Sequence, residues 1–216
     1  ESLKVVEITT YRIESKYSDK RHPDEITFAS KIDEDLKSRD FTINAIAYDG
    51  NNMVDPYHGQ EDIQNKIIRA VGEPDVRFAE DALRLMRAVR QAAQLGFHIE
   101  EKTLASIQKH AKEIAKISGE RVREEFLKLL SSEYAADGIL LLRETSLLKE
   151  ILPEVEACFG VDQKSPERHH IFDVGTHLVE ALRHCPSDDI ITRFATLIHD
   201  IGKKKTFHKD PKTQII

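Results

Sequence analysis

Cysteine is nearly missing from this 216-residue sequence. Only Cys158 and Cys185 occur, at no metal-type spacing, which excludes a disulfide framework and points to a reduced, cytoplasmic setting. No run of about 18 apolar residues is present, so no membrane span is expected. The opening ESLKVVEITT lacks the charged-then-apolar pattern of a signal peptide. Internal repeats and low-complexity tracts are absent as well. An excess of positive charge is also lacking, with a net charge of -6 and a pI near 6.0. That argues against a protein coated in positive charge, while leaving room for a local basic strip that grips phosphates. What remains is 40% hydrophobic and 32% charged, the composition of a soluble, globular, helix-rich protein. The length suffices for one large domain or two to three small modules.

The pattern along the chain predicts an α+β fold, a small mixed remnant followed by a mostly helical remainder. Residues 3–13, LKVVEITTYRI, read as a strand, EITFAS as a second, and NMVDPYHG as a strand ending in a turn. DEDLKSRDFTINAIAYD has a helical look with an acidic start. From Glu61 the pattern reads as helical throughout, including one helix core from Phe78 to Leu95 closed by Gly96 as a C-cap. EEKTLASIQKHAKEIAKI reads as one amphipathic helix with Leu104, Ile107, Ala111, Ile114 and Ile117 inward. Ser118 is the expected N-cap of the next. The chain begins at Glu1 without a methionine and stops at Ile216 just after a motif, so the sequence reads as cut at both ends.

The stretch EDALRLMRAVR sets Asp81, Arg84, Arg87 and Arg90 on a three-residue beat. On a helix Asp81, Arg84 and Arg87 can share a face, with Leu85, Met86, Val89, Ala92 and Ala93 as the buried stripe. One reading is a solvated face of i, i+3 ion pairs. The other is a nucleotide site. A carboxylate accepts hydrogen bonds where a guanidinium only donates. Cytosine and adenine each show an amino donor beside a ring-nitrogen acceptor. An acid and an arginine would therefore suit both bases, and uracil or guanine would leave polar groups unpaired at roughly 1–3 kcal/mol each. Further arginines could meet a triphosphate.

Three ordered motifs, LKSRDFTINAIA at 36–47, VDPYH at 54–58 and RAVGEPDVRFAEDALRLMRAVR at 69–90, resemble the class II tRNA nucleotidyltransferase and bacterial poly(A) polymerase family over about residues 5–155. ISGERVREEFLKLL and ETSLLKEILPEV are similar to its helical neck and body. The resemblance implies addition of CMP and AMP to the tRNA 3′ end, with CTP, ATP and tRNA as partners and Mg²⁺ as cofactor. It assigns nucleotide contact to Arg39, in an SRD motif where Ser38 replaces the usual first arginine. It assigns base selection to Asp81 and Arg84, and nucleotide holding to Arg87 and Arg90. Asp40 and Asn44 would tie head to neck. Glu7 would stand near the metals or at a strand edge, and Tyr17, Asp19 and Arg21 would belong to the loop that helps change from CTP to ATP. The acceptor would lie along Lys109, Lys112, Lys116, Arg121 and Arg123, or these form a plain polar helix face.

That family opens on a Gly-Gly turn and an Asp-x-Asp pair holding two Mg²⁺ ions, neither of which precedes Glu1. Asp33-Glu34-Asp35 reads instead as an acidic helix start. The 216 residues alone are therefore expected to be inactive, the head coming from elsewhere in the same or a partner chain. A second constellation, His170, His177, His199, Asp200 and Lys203, resembles the HD metal-dependent phosphohydrolases over about residues 168–204. It implies a divalent metal on His177, His199 and Asp200 in an incomplete site. His169 and His184 read as structural or surface residues, and Lys203–Lys205 as a solvated helix end. The expected division is a head remnant at 1–60, neck and body at 61–158, and part of an HD domain at 159–216. A poly(A) polymerase, or a nucleotide- or RNA-binding fragment joined to an HD phosphohydrolase, stays open as the alternative.

Overall fold

The structure, a computed structural model, describes residues 12–15, 25–28, 31–162 and 172–206. Two antiparallel strands, β1 (Arg12–Ser15) and β2 (Glu25–Phe28), pair with Arg12 opposite Phe28 and Ser15 opposite Glu25. Helix α1 (Ile32–Lys37) follows, and its first turn holds Asp33, Glu34 and Asp35 as an acidic start. The helical look of the SRD segment does not persist. Ser38 closes α1, a 3₁₀ turn spans Thr42–Asn44, and the chain enters the short hairpin β3 (Ala47–Tyr48) and β4 (Met53–Val54). Leu36, Ala45 and Val71 form a small core beneath this region.

Helix α2 (Gly59–Gln64) is shorter than the apolar pattern suggests. IIRAV leaves helix altogether: β5 (Ile67–Ile68) pairs in parallel with β6 (His98–Ile99). Between them run α3 (Pro74–Glu80) and α4 (Leu83–Leu95). The single helix expected from Phe78 to Leu95 is thus two. Asp81 adopts φ -141° and ψ 109°, and its Oδ1 accepts from the Leu83 amide at 2.9 Å. An aspartate that bonds its own downstream backbone offers an alternative to helix continuity, and here it takes the first amide of α4.

Helix α4 is the centre of the molecule. Leu85, Met86, Val89, Ala92 and Ala93 are buried as the stripe predicts. Gly96 ends the helix at φ 64°, in the left-handed region that favours glycine, as expected for a C-cap. Helix α5 (Glu101–His110) stops where one helix was expected to continue, and Ala111–Lys116 tightens to 3₁₀ geometry. Helix α6 (Gly119–Leu130) starts after Ser118, whose side chain makes no capping bond. Helices α7 (Ala135–Glu144), α8 (Leu147–Ile151) and α9 (Pro153–Glu156) complete the body. Gly138 of α7 allows a close crossing, since a Cβ there would sit 2.9 Å from Ala93 Cβ and 3.0 Å from Leu129. Helices α10 (Val174–Arg183) and α11 (Ile190–Ile198) join the same apolar cluster through Val174, Leu178, Val179, Leu182 and Leu197, and the short α12 (Lys203–Thr206) follows with no buried residue. No helix among the described residues is long and apolar enough to cross a membrane.

Candidate functional site

A cleft of about 910 Å³ opens between the SRD segment and α4. Arg39, Asp81, Arg84, Arg87 and Arg90 all line it, so the five expected nucleotide-binding residues of the described chain are brought together. Glu7 lies outside the described residues, as do Tyr17, Asp19, Arg21, His169 and His170.

Each arginine is held by protein groups. Arg84 is buried, and its Nη1 donates to Arg77 O at 3.1 Å and to Glu80 Oε2 at 2.5 Å, while Nη2 donates to Ser38 O at 3.1 Å. Three of the five guanidinium N–H groups are thereby committed. The Nε–H and the second Nη2 hydrogen have no partner among the described residues. Asp81 accepts from Leu83 N through Oδ1 and from Arg121 Nη2 at 2.9 Å through Oδ2. An anchored guanidinium with uncommitted donors and an anchored acceptor thus line the same cleft.

Arg87 donates to Asp40 Oδ2 at 2.7 Å, and Asp40 Oδ1 accepts from the Phe41 amide and from Asn44 Nδ2 at 2.9 Å each. Burial pushes the Asp40 carboxyl up. The Arg87 charge and the bonds from Asn44, Arg87 and Phe41 outweigh it and leave the group below its ordinary value. Asp40 and Asn44 therefore tie the SRD segment to α4. Arg39 pairs with buried Asp35 at 2.7 Å, which gives that acid a structural partner. Arg90 donates to Glu125 Oε2 at 2.8 Å and to Gln94 Oε1 at 2.6 Å. Glu125 is likewise pushed up by burial and brought below its ordinary value by Arg90 and Lys128.

Several cleft residues were missed by sequence reasoning. Arg121, expected either along the tRNA acceptor or on a plain polar helix face, reaches Asp81 from α6. The 40-residue separation gives no local signal. Gln91 and Gln94 also line the cleft; Gln91, at i+7 from Arg84, returns to within about 20° of its helix face, a signal that was available, whereas Gln94 lies about 80° round. Lys109 is drawn to Asp75.

A second cluster lies on the C-terminal helices. His177 Nε2, His199 Nε2 and Asp200 Oδ2 are mutually 3.2, 3.6 and 3.4 Å apart. Ligand atoms at 2.0–2.1 Å from a tetrahedral ion are separated by about 3.3 Å, so the spacing fits a metal. His199 Nδ1 lies 2.7 Å from Thr196 O. A carbonyl oxygen can only accept, so that contact puts a proton on Nδ1 and turns Nε2 toward the cluster, the orientation usual for a histidine that ligates through Nε2. Lys203 Nζ sits 2.6 Å from Asp200 Oδ2. Among the described residues this is the one group of three or more candidate ligands; Asp33, Glu34 and Asp35 do not form another.

Residues 1–69 match the family described as "Poly A polymerase head domain", and residues 96–159 the one described as "Probable RNA and SrmB-binding site of polymerase A". A CCA-adding enzyme of Lactobacillus helveticus is 50% identical over 146 residues, which is 67% of this chain and 37% of that protein. The crystal structure of the Bacillus stearothermophilus CCA-adding enzyme in complex with CTP superimposes with a TM-score of 0.61 at 42% identity, covering 69% of this chain and 36% of that one. A tRNA nucleotidyltransferase complexed with a primer tRNA and an incoming ATP analog gives a TM-score of 0.62 at 26% identity, over 81% and 52% of the two chains. The chain spans little more than a third of the length of the curated relatives it matches.

Proposed function

We propose, for a chain that belongs to the poly(A) polymerase and tRNA nucleotidyltransferase family, that the cleft selects CTP and ATP during addition of CMP and AMP to a tRNA 3′ end. The observation that carries this is the pairing of an anchored acceptor, Asp81, with the uncommitted N–H donors of Arg84 in one cleft. Cytosine and adenine present the complementary donor and acceptor. Uracil and guanine would leave buried groups unpaired. Arg39, Arg87 and Arg90 supply the charge that holds the phosphates. Their internal carboxylate partners keep the guanidiniums in place before a ligand arrives, so little ordering remains to be done on binding. The matched CTP and tRNA complexes of related proteins support the same substrate classes.

The reading places the protein in the cytoplasm and implies Mg²⁺ for the transfer step. When bound, that ion supplies charge to the attacking and leaving oxygens. Its ligands are not among the clusters of the described residues; the residues here bind and orient the nucleotide. CCA addition is favoured over A-tailing by the names of the matched relatives.

Competition binding of the four nucleoside triphosphates tests the proposal without requiring turnover. The protein should prefer CTP and ATP over UTP and GTP by roughly tenfold or more, the size expected for unpaired polar groups. Arg84→Ala should collapse that ratio toward one, whatever it does to affinity. An undiminished ratio in the variant overturns the assignment.

A second reading adds to the first, on the strength of the His177, His199 and Asp200 spacing: these residues hold a divalent metal of the kind that activates water against a phosphoester. Lys203 would keep Asp200 neutralised until the ion displaces it. Equilibrium dialysis against Mn²⁺ should find one site, lost in His199→Ala. Unchanged Mn²⁺ uptake by the variant would refute it.

A further inference from the structure

The C-terminal half of α4 carries two carboxamides whose orientation is fixed by chemistry. Asn44 Nδ2 lies 2.9 Å from Asp40 Oδ1, and an ionised carboxylate can only accept. The Asn44 atom is therefore nitrogen, and the Gln91 atom 3.1 Å from it must be oxygen. Gln94 is fixed in the same way, because Arg90 Nη1, 2.6 Å from its Oε1, can only donate. Both amides thus spend their oxygens on the protein and leave their NH₂ groups over.

Neither NH₂ has a hydrogen-bond partner among the described residues. Neither is among the sealed, unpartnered polar atoms, which are Arg121 Nη1, Glu156 Oε2 and Arg193 Nε. Gln91 is itself 6% exposed and lines the cleft, as does the more open Gln94. A buried amide whose oxygen is tied to an asparagine that is itself tied to a carboxylate cannot flip without breaking that chain. Its NH₂ is a pre-oriented donor.

We propose that Gln91 and Gln94 are binding residues that donate to phosphoryl oxygens of the cleft's ligand. Seven and ten residues beyond Arg84, they lie about 10 and 15 Å further along the helix axis. A base held at Asp81 and Arg84 leaves its sugar and phosphates to be met at such a distance. Two neutral donors add contacts there without adding charge, beside arginines held in place by Asp35, Asp40, Glu80, Asp81 and Glu125. The phosphoryl oxygens belong either to the incoming triphosphate or to the phosphodiesters of the RNA 3′ strand.

This inference rests on the cleft being a nucleotide site, and the test separates the two. Affinities for CTP, for cytidine and for a short single-stranded RNA ending in CC are measured on the protein, on Gln91→Glu and on Gln94→Met, with thermal unfolding as the check of folding. Gln91→Glu keeps the oxygen that Asn44 needs and removes the donor but adds a charge, so its loss counts only alongside a loss in the neutral Gln94→Met. Gln94→Met alters an exposed position. Each should weaken a phosphate-bearing ligand by about fivefold or more, the size of one lost hydrogen bond, and leave cytidine unchanged. Loss confined to CTP assigns the triphosphate, and loss confined to RNA assigns the phosphodiesters. Unchanged binding of both, or equal loss for cytidine, overturns the proposal. A failure of the nucleotide reading shows itself separately, as an Arg84→Ala protein that keeps its base preference.

Discussion

Asp40 is a carboxylate taken out of water yet kept ionised, and what keeps it so is the joint between two parts of the molecule. Its bonds come from Phe41 and Asn44 on its own segment and from Arg87 on α4. Its value in the folded protein is lowered, whereas the unfolded chain titrates near the usual 3.9 or so. As pH falls the unfolded state takes up the proton first. The stabilisation is therefore complete above the ordinary carboxylate value and is lost as pH falls through the lowered one. Wild type should be more stable than Asp40→Asn at about pH 6, and the gap should narrow toward about pH 3. Chemical denaturation of both proteins across that range reads it directly, and a gap independent of pH would show that Asp40 acts only by packing. At this scale much of the site was legible. Arg39, Asp81, Arg84, Arg87 and Arg90 share a cleft as the family resemblance of their motifs implies. Arg121 was not legible, because its partner lies 40 residues away and only the packing of α6 on α4 brings them together.

Elements show where periodicity misleads. The apolar beat of α3 and α4 passes through Asp81 without interruption, so a pattern-based reading joins the two helices. The break comes from one side chain competing for the Leu83 amide. It also has a consequence for the site: an aspartate outside the helix can turn its second oxygen to Arg121 and the cleft, which the helical register would not fix. The two-residue strands β5 and β6 were missed for another reason. Ile67 and Ile68 are as compatible with helix as with strand, and only their pairing with His98 and Ile99 decides. Gly96 was readable because the φ of 64° it adopts is one that few other residues tolerate. Ser118 was placed correctly at the start of α6, but no bond from its side chain is made. The position of a cap can be read from residue type, whereas the bond depends on a rotamer the sequence does not record.

At the scale of the whole molecule the body and the C-terminal helices share one core. Buried residues run from Phe41 through Leu85, Leu129 and Leu142 to Leu178 and Leu197 in a single cluster. Arg193 of α11, 9% exposed, donates to Ser132 O at 3.0 Å, and Arg183 of α10 reaches Asp137 of α7. Helices that share a core unfold together when the shared contacts outweigh those within each part. Leu197 is fully buried at the far end of the cluster, and Leu197→Ala should cost about 2–5 kcal/mol. If the core is one cooperative unit, the loss of hydrogen-exchange protection in that variant will reach the amides of α4 and α7 as well as those of α10 and α11. Protection lost from α10 and α11 alone would mean that the histidine cluster rides on a unit that opens independently of the cleft. In that case the two sites would respond separately to temperature and ligand; with a shared core, a nucleotide that steadies α4 also steadies His177 and His199.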